Sequence, residues 1–212
     1  MASNPPLLSD YLTGVRRLLH DATGNYWADA ELVDNINTAR FRVVADTGCN
    51  RVLQTVPLLT GIETYAYSTL PSGINTFDVL NVTVLWSNMR VPLNYMPFTE
   101  FNRNVRNLVS YQGRPVVFTV YGNNTVYVGP IPDQAYSSEW DTVVAPATLV
   151  NFTDQDTISF PFTDPIPYYA AYLAKEKEQS TEDSSRFLQA YNQKVFAALR
   201  SSFTRRISQP FQ

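Results

Sequence analysis

Apolar residues follow a helical period at both ends of the chain and a strand period in the middle. The first helix shows spacings of three and four at Leu8, Leu12, Val15 and Leu19. The second starts after Trp27 and repeats the spacing at Leu32, Ile36, Ala39 and Val43. Gly48 follows as a helix stop. The connection between the two helices is short, which predicts an antiparallel helical hairpin.

Between about residue 51 and residue 160 the apolar period shortens to two, which favours antiparallel strands. The clearest hairpin joins 116–121 to 126–128 across the turn at 122–125. Residues 99–109 are compatible with a short helix. We expect one strand face at Leu80, Val82, Val84 and Trp86, and further strands around 65–67, 142–144 and 157–160.

Helical spacing returns after the prolines at 161, 165 and 167, with one helix from Ile166 to Ala174 and another from Phe187 to Ala198. The pattern predicts an α+β fold. Its terminal helices, in residues 1–50 and 161–212, form a helical bundle. An antiparallel β-sandwich or β-barrel domain is inserted over residues 51–160.

Composition narrows the function classes. The formal net charge of -3 argues against a protein whose task is to neutralise nucleic-acid phosphates. The hydrophobic fraction of 44% predicts a folded chain rather than a disordered one. The start of the chain does not look like a signal peptide and no apolar run is long enough for a membrane span, so we expect synthesis in the cytosol and no membrane partner.

Residues that commonly carry chemistry are few. His20 is the single histidine, and its place at the end of the first helix favours a role in capping that helix. Cys49 has no second thiol to pair with, which favours a buried apolar role. Neither residue indicates a nucleophile or a cofactor site, so we predict no catalytic residue and no cofactor.

Two groups of acids leave alternatives open. Asp154 and Asp156 are spaced for a divalent cation, although the remaining ligands of a calcium loop are missing. Asp133, Glu139 and Asp141 offer the paired carboxylates of a glycoside hydrolase. Both signals are weak, so we predict no metal and no enzyme.

Arginine and aromatic residues indicate an interaction protein. The chain has 13 arginines and 3 lysines with 13 tyrosines, a composition enriched at protein interfaces. Residues 184–212 hold five basic residues and no acid. A docking tail over about 200–212 and a frayed basic helix end are equally compatible with this segment. Exposed tyrosines would also suit a carbohydrate-binding module.

Five stretches resemble the head-to-tail adaptor proteins of tailed bacteriophages, and in particular the tail tubular protein A type of short-tailed phages. They are Tyr11–Asp21, Tyr26–Leu32, Ile36–Arg40, Val128–Tyr136 and Pro167–Ala174. The likeness spans nearly the whole chain.

The resemblance implies a virion structural protein of the phage neck. It implies a ring, expected to be a dodecamer, between the portal protein and the tail nozzle protein, with DNA only passing through its channel. The C-terminal tail would dock on the portal through Arg200, Phe203, Arg205, Arg206, Ile207 and Phe211. Alternatives are a carbohydrate-binding tail or surface module and a neck-associated cell-wall hydrolase.

Overall fold

The computed structural model of the chain describes residues 5–71, 75–107, 111–122 and 124–204, with side chains through residue 201. The helices are α1 (Leu8–Leu18), α2 (Asp29–Thr47), α3 (Phe98–Asn104), α4 (Ile166–Lys177) and α5 (Thr181–Thr204). The longer strands are β1 (Arg51–Leu58), β3 (Thr76–Trp86), β7 (Val117–Tyr121), β8 (Thr125–Gly129) and β10 (Tyr136–Val144). The shorter ones are β2 (Thr64–Ala66), β4 (Met89–Pro92), β5 (Asn94–Tyr95), β6 (Gln112–Gly113) and β9 (Ile131–Pro132).

The chain divides into two compact units, which confirms the α+β class. One unit, here the helical unit, consists of residues 1–50 and 146–212. The other, the β unit, consists of residues 51–145. Residues 146–160, which the sequence pattern grouped with the β domain, belong to the helical unit.

Helix α4 is the centre of the helical unit and packs against α1, α2 and α5. Small side chains occupy its contact positions, and Ala170, Ala171 and Ala174 are fully buried there. The apolar face predicted for α2 is also fully buried, at Leu32, Ile36, Ala39 and Val43. Gly48 ends α2 in the left-handed region with φ 62°, and its N–H donates to the carbonyl oxygen of Val44 at 2.8 Å.

Two four-stranded sheets build the β unit, in the strand orders β1-β10-β3-β4 and β2-β8-β7-β5. Their facing side chains form one hydrophobic core around Trp140, Phe118, Val82 and Val126. The predicted hairpin is confirmed as β7 and β8, which pair antiparallel on either side of Gly122. Across the described ranges the sheets do not close into a barrel.

Two expectations about local structure are wrong. Leu80 does not share a face with Val82, because a register shift between β3 and β10 turns Val79 inward and leaves Leu80 44% exposed. The expected antiparallel pairing holds for the longer strands, whereas the short strand β5 pairs parallel with β7, and β6 and β9 form a separate parallel pair. Residues 157–160 form no strand, and the backbone N–H of Ile158 donates to the side chain of Asp156.

The short helix α3 is placed on β8 by a glycine, and it ends earlier than predicted, at Asn104. A Cβ atom at Gly129 would lie 2.5 Å from Cγ1 of Val105 and 2.8 Å from Cε2 of Phe101. Only a residue without a side chain leaves room for α3 at this distance. The fit of Phe101, which is fully buried, thus depends on Gly129.

Candidate functional site

The predicted docking segment begins on the last turns of α5. Arg200 is exposed on this helix, and its guanidinium carbon lies 5.7 Å from the centre of the Phe196 ring. Phe196 is 62% exposed, so an apolar ring and a cation form one surface there. The side chain of Phe203, and all of Arg205, Arg206, Ile207 and Phe211, lie outside the described residues.

The helix that carries this surface is firmly anchored in the helical unit. Tyr191 is 2% exposed, and its hydroxyl donates to Oδ2 of Asp46 on α2 at 2.7 Å. Burial and this hydrogen bond raise the pKa of Tyr191 well above its ordinary value. Lys194 donates to Oδ2 of Asp164 at 2.7 Å, and Ala198 is buried one turn further on. The anchored part of α5 therefore reaches almost to Arg200.

A buried ion pair fixes the segment that leads into α4. Nη2 and Nε of Arg40 on α2 donate to Oδ1 and Oδ2 of Asp156 at 2.7 and 3.1 Å. The hydroxyl of Tyr11 donates to Oδ2 at 2.6 Å, and the backbone N–H of Ile158 donates to Oδ1 at 3.0 Å. Both side chains are almost fully shielded from solvent, with 1% of Arg40 and 0% of Asp156 exposed.

The same arginine extends the network to the start of the segment. Nη1 of Arg40 donates to the carbonyl oxygen of Ala147 at 2.6 Å. Asn37, one turn earlier on α2, exchanges two hydrogen bonds of 3.0 Å with the backbone of Leu149. Sequence reasoning missed this network. The signal that points to it is a charged residue, Arg40, four positions after Ile36 on the apolar stripe of α2.

The two acids that are spaced for a divalent cation, Asp154 and Asp156, both accept hydrogen bonds from the protein itself. Asp156 is saturated by the network. Asp154 accepts the backbone N–H groups of Val150 and Asn151, both at 2.8 Å, and these bonds lower its pKa. Among the described residues no group of three histidine, cysteine or acidic side chains is arranged to hold a metal ion. The carboxylates of Asp154 and Asp156 therefore stabilise the backbone of the loop in which they lie.

The carboxylates that could serve as a hydrolase pair, Asp133, Glu139 and Asp141, are also engaged with other side chains. Glu139 accepts bonds of 2.9 and 3.1 Å from Nε and Nη2 of Arg90, and these bonds lower its pKa. Asp141 forms an ion pair with Arg51, and Asp133 accepts from the hydroxyl of Tyr136. A general acid needs a raised pKa, so the environment of Glu139 is opposite to the one that hydrolysis requires.

The single histidine and the single cysteine occupy ordinary positions. His20 lies two residues after the end of α1 and is exposed, with φ 57° and its N–H donating to the carbonyl oxygen of Arg17 at 3.3 Å. Cys49 is half-buried after Gly48, and burial raises the pKa of its thiol. A raised thiol pKa disfavours the thiolate that a nucleophile needs.

A second surface of interface character lies at one end of the β unit. Arg114 stacks its guanidinium carbon 3.9 Å from the centre of the Trp86 ring, and that ring lies 6.4 Å from the ring of Tyr136. Trp86 is 39% exposed and Met89, across the β3–β4 turn, is 65% exposed. Exposed tryptophan, methionine and arginine side chains are typical of the centres of protein interfaces.

Comparison with known proteins agrees with this picture of an interaction protein. No helix in the described part of the chain is long and apolar enough to cross a membrane. No curated protein matches the chain. The family model described as SU10 adaptor protein matches residues 7–210. Because this match covers nearly the whole sequence, the chain belongs to the SU10 adaptor protein family and has the structural role of a phage adaptor.

Proposed function

We propose that the protein is a head-to-tail adaptor that forms a ring between the portal protein and the tail nozzle protein of a phage, and that DNA passes through its channel. The observation that carries the proposal is the family match over residues 7–210. We further propose twelve copies per ring. The narrower likeness to tail tubular protein A remains a prediction from the sequence.

The charge distribution supports a channel that does not retain DNA. The chain is acidic overall, with a net charge of -3. Many of its arginines are engaged in ion pairs with its own carboxylates. These arginines are Arg16, Arg40, Arg51, Arg90 and Arg106. Since affinity for DNA grows with the number of phosphates that free cations neutralise, such a chain lets DNA slide past.

The C-terminal segment is proposed as the portal-docking element. It continues from α5, whose last described side chains offer Phe196 and Arg200 to solvent. Residues 184–212 carry five basic residues and no acid, so the segment suits an acidic surface on the portal. Each of Phe203, Ile207 and Phe211 contributes roughly 1.5–3 kcal/mol if the portal buries it fully.

Ordering such a segment opposes binding by about 1 kcal/mol or more per residue, so a single copy binds the portal weakly. A ring changes this balance. Once one segment has docked, its neighbours meet their sites at high effective concentration. The proposal therefore couples strong portal attachment to ring formation.

Deletion of residues 200–212 tests the docking role. The truncated protein should keep its circular dichroism spectrum and melting temperature, because Tyr191 and Ala198 anchor α5 before the cut, and it should fail to assemble onto the portal. Arg186→Ser is the matched control, since it removes an exposed cation from the start of the same helix. Truncated protein that joins portal-containing particles at wild-type occupancy would show that the docking role is wrong.

A further inference from the structure

The sheet that contains β1 ends in two edge strands of unequal length. Its edge strands are β1 and β4. Within the β unit, no described helix or strand other than β10 packs along β1, and none other than β3 packs along β4. Strand β4 has four residues, and the edge strands β2 and β5 of the second sheet have three and two. Short edges are a usual protection against pairing with another chain.

Strand β1 is the longer of these two edges, and its protections, Arg51 and Pro57, lie near its ends. It has eight residues and pairs with β10 in one continuous register from Arg51 to Leu58, without a bulge. Its centre, residues 52–56, contains no proline, glycine or charged residue. Leu53 is 66% exposed on this strand. An edge of this length and composition is a template for strand addition.

The two edges are complementary in direction. Strand β1 is antiparallel to β10, β10 to β3, and β3 to β4, so β4 runs opposite to β1. In a second copy whose β1 lies beside β4 and continues the twist of the sheet, that strand is therefore antiparallel to β4.

Side chains at the two edges suit such a contact. The exposed Met89 begins β4, and the exposed Leu53 lies on β1. Arg51 on β1 and Arg90 on β4 are both engaged, since each forms an ion pair with a carboxylate of β10. No unpaired charge from these two arginines has to be buried when the edges meet.

We infer that the free edge of β1 in one copy pairs antiparallel with the free edge of β4 in the next copy, so that the sheet continues from subunit to subunit around the ring. The inference rests on the proposed ring. It identifies a second copy of this chain as the occupant of both edges and assigns the lateral contact to main-chain hydrogen bonds.

Cysteine crosslinking in the assembled protein tests this pairing. Leu53→Cys or Thr55→Cys on β1 is combined with Arg90→Cys on β4, in a Cys49→Ala background. Thr55 and Leu53 are exposed at alternate positions of β1, and their partners on β10 are Glu139 and Asp141, the residues that Arg90 and Arg51 reach. All these positions thus share one face of the sheet. A short bis-maleimide is the crosslinker.

With portal present, at least one of the two cysteine pairs should give a ladder of covalent dimers and higher species. Leu53→Cys combined with Leu80→Cys is the matched control, because Leu80 is exposed on the interior strand β3, and it should remain monomeric on a denaturing gel. Mass photometry of the same samples reports ring formation separately. Rings without a ladder from either pair overturn the edge pairing, whereas absence of rings from the Cys49→Ala parent overturns the proposed function.

Discussion

Loss of the Asp156 carboxylate should strongly destabilise the helical unit. The substitution is Asp156→Asn, which keeps the size of the side chain and removes its charge. Four hydrogen bonds of 2.6 to 3.1 Å converge on this carboxylate, two of them from Arg40, which is 1% exposed. The variant leaves a buried guanidinium without its counter-charge, which costs about 3–5 kcal/mol.

The assay is thermal unfolding followed by far-UV circular dichroism, because most of the helical signal comes from this unit. For a chain of this size the expected loss lowers the melting temperature by about 6–20 °C. Glu182→Gln is the matched control, since it makes the same carboxylate-to-amide change in an exposed ion pair with Arg186. That pair contributes only about 0.3–0.5 kcal/mol. Equal shifts for the two variants would refute the role of the buried pair.

Two further predictions concern the β unit. Gly129→Ala should lower the free energy of unfolding by about 1–3 kcal/mol, because the new methyl group overlaps Val105, whereas Gly113→Ala has ordinary contacts and should be near neutral in urea unfolding. Burial raises the pKa of Tyr67 to about 12 from 10.0, so its stabilisation is complete below pH 10 and is lost as the pH rises towards 12. Tyr67→Phe should reduce the loss of unfolding free energy at alkaline pH by up to about 1.4 kcal/mol per pH unit. An equal fall of the urea midpoint with rising pH in both proteins would contradict this.

Elements set by local spacing were predictable from the sequence. The burial of Leu32, Ile36, Ala39 and Val43 follows from a period that one helix imposes on its own residues. Gly48 ends α2 because its own conformation permits a left-handed turn. Nothing distant in the chain is needed for either result.

Features that depend on a distant partner were not predictable. The exposure of Leu80 is set by the register of β3 on β10, far along the chain. The alternation at 157–160 is typical of a strand, but the segment is placed by the pairing of Asp156 with Arg40, 116 residues away. For the candidate site, the docking role of Arg200 stays a prediction from the sequence, while the exposure of the neighbouring Phe196 emerged only once α5 showed which of its faces meets solvent.

The central claim is that many copies of this chain assemble on the portal as a ring. Electron microscopy of the purified protein mixed with its portal tests this claim most directly. We expect class averages with a closed ring of adaptor copies stacked on the portal and an open channel along the common axis. A portal that carries single, isolated copies, or none, would contradict the account.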